Sequence, residues 1–192
     1  ILILLCLLEA TVPHKGEDHI GLKSKWSDNC SSEFIPKLQL GDLIEFDKAI
    51  VPGSRYRHWA IYMGNDTGTR LVISYLFSTD KIPTDNFVKK NKGEEFFKNV
   101  KVVEKPLSVV AQNSRCRVNN QGDWIDPPYT PNVAIMRAAT RLDKYHFMMH
   151  DNNCEALVRW SRNGVRKSMQ VIDHFNDFVL SVGGKKMYEN DC

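Results

Sequence analysis

The sequence predicts an α+β domain, in which a small antiparallel sheet comes first and helices follow. Three observations predict it. Short apolar and aromatic runs between residues 42 and 103 are separated by Gly-, Pro- and Asn-containing turns, the pattern of strands. From residue 133 onward the apolar residues recur at helical spacing. A chain of 192 residues has room for one ordinary domain with its own core.

Residues 11–36 are polar and carry Pro13, Gly16, Gly21, Ser31 and Ser32, so they read as a leader or loop. Leu43, Ile44 and Phe46 predict a strand after the Gly41–Asp42 turn, and Val51–Ser54 (VPGS) a turn. Tyr56–Gly64 (YRHWAIYMG) is aromatic and β-branched and predicts a second strand. Asn65–Gly68 (NDTG) then reads as a hairpin turn and Leu71–Phe77 as the returning strand. Val100–Val103 is a further strand, with Leu107–Val110 a short element beside it. Residues 112–132, with Asn119, Asn120, Gly122, Pro127, Pro128 and Pro131, read as loop. Val133–Tyr145 places Val133, Met136, Ala139 or Thr140, and Leu142 at helical spacing. Cys154–Trp160 repeats the pattern with Ala156, Leu157 and Trp160, and Gly164 is a C-cap. Val171–Val182 forms a last apolar stripe, read as core packing rather than a membrane face.

The formal net charge of +3, with both signs interleaved, argues against a nucleic-acid binder, which concentrates Lys and Arg on one face. It suits at most weak attraction to an anionic lipid surface. The five cysteines form no CxxC pair and no Cys/His cluster with zinc spacing, so no structural metal site is expected. Their odd number fits a reducing compartment, or one thiol kept free for chemistry. The chain opens on Ile rather than Met. Its first eight residues, Ile1–Leu8, are apolar but far short of the about twenty that span a bilayer. They read as a truncated signal peptide, the end of a longer anchor, or a buried strand. The expected location is cytoplasmic or membrane-associated, with a secretory route if residues 1–10 are a signal remnant.

The sharpest chemical signal is Asp151–Trp160 (DNNCEALVRW). Asp and Asn are preferred N-caps, and an amphipathic run follows, so Cys154 belongs in the first turn of a helix. Unpaired backbone N–H groups and the helix dipole there favour thiolate, and the same N–H groups can hold an oxyanion. The competing reading is a small buried structural cysteine. Of the six histidines, His58 lies inside a predicted strand, where alternation puts His58, Ala60 and Tyr62 on one face and Trp59, Ile61 and Met63 on the other. His146 and His150 lie on a connecting segment, and His14 and His19 in the leader. A lone strand histidine is more often structural than a base. Together, though, Cys154 and His58 make a testable nucleophile–base pair.

Five segments in order carry a resemblance: Gly41–Phe46 (GDLIEF), Tyr56–Gly64, Val102–Lys105 (VVEK), Arg117–Asn120 (RVNN) and Asn153–Glu155 (NCE). From about Leu40 to about Val171 the chain resembles the lecithin:retinol acyltransferase (LRAT) domain family, most closely its small phospholipase A/acyltransferase branch. The resemblance implies a permuted papain-type α+β fold related to the NlpC cysteine peptidases, occupying residues 37–182. A leader or truncated targeting segment (1–36) precedes it and a polar tail (183–192) follows. It implies acyl transfer from a glycerophospholipid through a thioester on Cys154, with His58 as general base. The partners would be a phospholipid and the membrane surface, with no cofactor and no nucleic acid.

Three departures stand out. Where the family usually has a second histidine that orients the first, this chain has Ser74, or Tyr75 if the longer turn shifts the register by one. Ala156 follows the NCE motif where the small branch usually has histidine. The last ten residues are polar, where those enzymes often carry a hydrophobic anchor. Glu155 and Arg159 read as a structural pair across one helical turn, and Trp59 and Tyr62 as core or cleft wall. Two other readings stay open: an NlpC-type cysteine amidase or peptidase, and a catalytically weak interaction protein that keeps the fold.

Overall fold

The computed structural model describes residues 22–51, 54–77, 99–148 and 152–169, leaving aside the side chains at 49–51, 54, 55 and 77. Five antiparallel strands make one sheet: β1 (Leu43–Val51), β2 (Ser54–Asp66), β3 (Thr69–Phe77), β4 (Val100–Pro106) and β5 (Arg115–Val118), in the order β4-β3-β2-β1-β5. Among the described residues three helices accompany it: α1 (Leu107–Ala111), α2 (Pro131–Ala139) and α3 (Cys154–Asn163). The mixed α+β architecture with an antiparallel sheet is as the sequence predicts.

Two hairpins build the middle of the sheet. β1 and β2 pair from Leu43↔Ile61 to Val51↔Ser54. β2 turns into β3 through Thr67 and Gly68, whose φ angles of 46° and 86° are the paired positive values of a two-residue hairpin. Alternation then divides the apolar residues between two faces. On one face Leu43, Trp59, Ile61, Ile73, Tyr75 and Val102 pack against Ala134 and Ala138 of α2 and Leu157 and Val158 of α3. On the other, Ile44, Phe46, Ala60, Tyr62 and Val72 meet Leu107 and Val110 of α1 and the N-terminal residues Cys30 and Phe34.

Several elements differ from the sequence reading. Residues 112–132 are not simply loop, because they contain β5 and a 3-10 turn, Gln121–Trp124. β5 pairs with β1 from Ile44↔Val118 to Asp47↔Arg115, drawn there by arginines that answer the acids of β1. The helix expected over 133–145 is shorter, Pro131–Ala139. The chain then leaves through successive tight turns (Arg141 N–H to Ala138 O, Leu142 N–H to Ala139 O) to Asp143, whose φ is 59°. Its buried face is Ala134 and Ala138, and Met136 is exposed. Residues 22–36 are not a detached leader: Ser27 bridges to Cys116, Lys23 to Asn119, and Cys30 and Phe34 are buried. A Cys30–Cys116 disulfide ties this segment to β5, and Cys154 is the free thiol among the described residues. The stripe Val171–Val182 and residues 1–21 lie outside the described residues. Among the described residues no helix is long and apolar enough to cross a membrane.

The family motifs that are not themselves reactive bind the sheet together. Asn120 accepts from the Leu43 N–H and donates to Asp42, and Asn119 donates to Glu45. The RVNN segment therefore fastens the start of β1, and with it the register that places β2.

Candidate active site

α3 begins as its sequence demands. Asn153 is the N-cap, and its Oδ1 accepts from the Ala156 N–H at 2.9 Å, which leaves Cys154 as the first helical residue. Gly164 closes the helix with φ 79°, where its absent Cβ avoids both left-handed strain and the Tyr129 hydroxyl. α3 lays Leu157 and Val158 on the sheet, so its first turn is pinned against β2.

The seam between β2 and β3 opens at this point. Their pairing runs from Asp66↔Thr69 to Ile61↔Ile73 and stops there, while β3 continues on β4 alone. Two side chains take up the backbone groups of Trp59 that face the gap. Its N–H is hydrogen-bonded to Cys154 Sγ, and its carbonyl accepts from Ser74 Oγ at 2.6 Å. Sγ also lies 3.9 Å from the Arg57 carbonyl. The thiol thus sits against the backbone on either side of His58.

The His58 imidazole is buried, 5.8 Å from the Phe46 ring centroid, and its Nε2 is 2.8 Å from Ser74 Oγ. A serine hydroxyl has one proton to donate, and carbonyls take it: Trp59 at 2.6 Å, with Tyr75 at 3.4 Å. Ser74 must therefore accept from His58, so Nε2 carries the ring proton and Nδ1 holds the free lone pair. The register leaves Tyr75 on the opposite face, where its ring meets Phe147 edge-on. Ser74 is the residue on the imidazole.

The electrostatics correct one expectation. The helix N-terminus was expected to hold Cys154 as thiolate. Burial instead pushes the thiol up to about 12. The N–H groups of Trp59, Glu155 and Cys154 itself pull the other way, and the Glu155 carboxylate adds to the rise, but desolvation is the larger effect. Burial, and then the charge of Lys48, push His58 down to about 3. Thiol and imidazole therefore both rest neutral, and the contacts of each are with other groups: Cys154 Sγ with the backbone at Arg57 and Trp59, His58 with Ser74, Phe46 and Tyr56.

Two neighbours escaped the sequence reading. Tyr56 lies edge-on to His58, with ring centroids 6.4 Å apart. Its hydroxyl is pushed up to about 12, by burial first and then by Cys154. Its position two residues before His58, on the same strand face, was the available signal. Lys48 reaches under the His58 face to the carbonyls of Val110 and Ala111, and burial lowers it to about 8. Nothing local marks it, because its acceptors are more than sixty residues away. Glu155 does pair with Arg159 at 2.8 Å, and its other oxygen accepts from Ser168. Ala156 is buried, and His146 is exposed on its connecting segment. His14, His19, His150 and His174 lie outside the described residues.

Comparison with known proteins agrees with the motif order. The chain is 31% identical over 138 residues to human phospholipase A and acyltransferase 2, covering 71% of this chain and 77% of that protein. It is 28% identical over 159 residues to rat phospholipase A and acyltransferase 5, covering 82% of this chain and 48% of that one. The human form of the latter is 28% identical over 142 residues, which is 73% of this chain and 46% of its own length. The chain thus spans about half the length of the two longer relatives. Residues 36–167 match the lecithin retinol acyltransferase family, and the protein belongs to that family.

Proposed function

We propose that the protein transfers a fatty acyl group from a glycerophospholipid through a thioester on Cys154, with His58 as general base and Ser74 as its orienting partner. The observation that carries this reading is the opened β2–β3 seam. There Cys154 Sγ and Ser74 Oγ bond the two sides of one peptide residue, Trp59, next to His58. The family resemblance implies the same division of labour, a thiol at a helix N-terminus served by a strand histidine, and Cys154 does open α3 while His58 lies on β2. The names of the relatives, phospholipase A and acyltransferase, support the substrate class, and we place the reaction at a membrane surface because that is where such a lipid lies.

The steps follow from the proton positions. His58 Nδ1 takes the Cys154 proton as Sγ forms its bond to the ester carbonyl carbon. Negative charge moves to the carbonyl oxygen, which the first-turn N–H groups of α3 can hold. Collapse breaks the C–O bond, and Nδ1–H protonates the leaving lysophospholipid oxygen. Water or an acceptor hydroxyl or amine then gives its proton to Nδ1 and attacks the thioester, and the sulfur departs and recovers its proton. Splitting the transfer in two makes each barrier smaller. Because both groups rest neutral, substrate binding and proton transfer must create the thiolate together.

A second reading, a catalytically weak interaction protein, draws on the buried thiol and on Ser74 in place of a second histidine. Lysophospholipid release from phosphatidylcholine vesicles separates the two. Wild type is expected to release it, and Cys154→Ala and His58→Ala are expected to release none. A wild type that leaves phospholipid intact but cleaves members of a peptide amide panel would move the reading to an amidase. Inertness toward both would leave the interaction protein.

A further inference from the structure

A cavity of about 310 Å³ opens where the β2–β3 hairpin, residues 29–35 and α1 meet. It lies on the sheet face that α1 covers, whereas Cys154 and α3 pack on the other. Ile35, Leu107 and Ala111 give it an apolar floor, and Thr69, Arg70 and Ser108 a polar rim. Its walls are fixed. The Cys30–Cys116 disulfide ties one of them to β5. In another, Gln112 holds φ 51° and ψ −126°, backbone angles that are normally glycine's. Asn29 and Cys30, which also line the cavity, hold φ of 52° and 45°. Such conformations persist where the surroundings over-determine them, and they gather at ligand sites.

The charge at the rim is one-sided. The Arg70 guanidinium has no ion-pair or hydrogen-bond partner among the described residues, and no acid is among the described residues that line the cavity. The Lys48 ammonium stands behind the α1 wall, donating to the Ala111 carbonyl at 3.1 Å and to Gln112 Oε1 at 3.3 Å. It too has no carboxylate partner among the described residues. A cation that meets no acid, beside two hydroxyls and over an apolar floor, suits an anionic head with an apolar tail. The planar guanidinium fork matches a carboxylate with two parallel N–H···O bonds. The volume stands at the small end of the about 300–1,000 Å³ usual for ligand pockets, so it takes a head and a short tail rather than a whole phospholipid.

We infer that this cavity binds a medium-chain fatty acid, with its carboxylate on Arg70, Thr69 and Ser108 and its chain over Ile35, Leu107 and Ala111. The site is separate from Cys154 and does not depend on the acyl-transfer reading. Where that reading holds, hydrolysis of the thioester releases a ligand of this class.

The test is isothermal titration calorimetry with sodium decanoate below its micelle concentration, on wild type, Arg70→Gln, Arg70→Lys, Ser108→Phe and Cys154→Ala, with thermal melts to check that each is folded. Loss of one charge-assisted contact weakens decanoate binding about tenfold in Arg70→Gln. Arg70→Lys, which keeps the charge and loses the fork, falls between wild type and Arg70→Gln. Ser108→Phe fills the cavity from an exposed position of α1 and abolishes binding, and Cys154→Ala binds like wild type. Decanol binds wild type as weakly as decanoate binds Arg70→Gln, and acetate shows no binding. A folded Arg70→Gln that binds decanoate like wild type would overturn the carboxylate site, as would decanol binding as tightly as decanoate. Acetate binding as tightly as decanoate would make this a small-anion site and overturn the fatty ligand. Binding that survives Ser108→Phe and disappears in Cys154→Ala would put decanoate at the active site and overturn the cavity. A wild type that binds no decanoate would overturn the inference outright.

Discussion

Ser74 Oγ gives its one proton to the Trp59 carbonyl and must accept from His58, and that single fact fixes which imidazole nitrogen can act as base. Ser74→Ala removes the anchor and lets the ring take the other tautomer or turn away. It is expected to lower kcat on phosphatidylcholine roughly tenfold to a hundredfold, with KM little changed, well short of the ten-thousandfold loss when a charged orienting group is removed. An unchanged kcat would show that Ser74 does not position the ring. The buried, neutral imidazole also makes stability depend on acid. In the unfolded chain it binds a proton as pH falls below about 6.5, whereas the folded one resists down to about 3. The unfolded state therefore gains protons first, and His58 erodes stability as pH drops through that window, with no cost above it. His58→Asn should flatten the fall of Tm between pH 6.5 and pH 4 relative to wild type, which melting curves across that range would check.

At the scale of the element, α3 and β2 were the most legible parts of the chain. The Asn153 cap, the placement of Cys154 in the first turn, Gly164 as C-cap and the His58 strand face each follow from rules acting within one turn or one strand. Asn153→Ala removes the cap and costs about 1 kcal/mol. Because the cap also aims the first turn at β2, activity should fall further than stability, and Asn153→Asp, which keeps an acceptor there, should restore most of both. Equal activity in Asn153→Ala and wild type would detach the cap from the site. β5 was illegible for a physical reason. Its four residues, two of them arginines, form a strand only because Glu45 and Asp47 wait on β1 some seventy residues earlier. The thiol's protonation was misjudged for a related reason. The helix terminus that lowers its pKa is local, whereas the burial that raises it belongs to tertiary packing.

In the whole molecule the family motifs divide into reactive and fastening sets. Cys154 Sγ lies against the Arg57 carbonyl and Ser74 Oγ on the His58 imidazole at a seam that exists only if β1 and β2 keep their register. That register is fastened by Asn120 on Leu43 and Asp42 and by Asn119 on Glu45. Asn120→Ala leaves the Leu43 N–H and a buried carboxylate without this partner, a loss of about 2 kcal/mol or more. Urea unfolding should show the loss as a lower midpoint, and an unaltered midpoint would contradict the fastening role. The account stands or falls on the covalent intermediate. The decisive measurement is intact-mass spectrometry after brief incubation with phosphatidylcholine vesicles, with lysophospholipid release read from the same tube, for wild type and Cys154→Ala. The account predicts a fatty-acyl mass on wild type alone, removed by mild hydroxylamine, together with lysophospholipid. Lysophospholipid released by Cys154→Ala, or an acyl group on wild type at a residue other than Cys154, would contradict it.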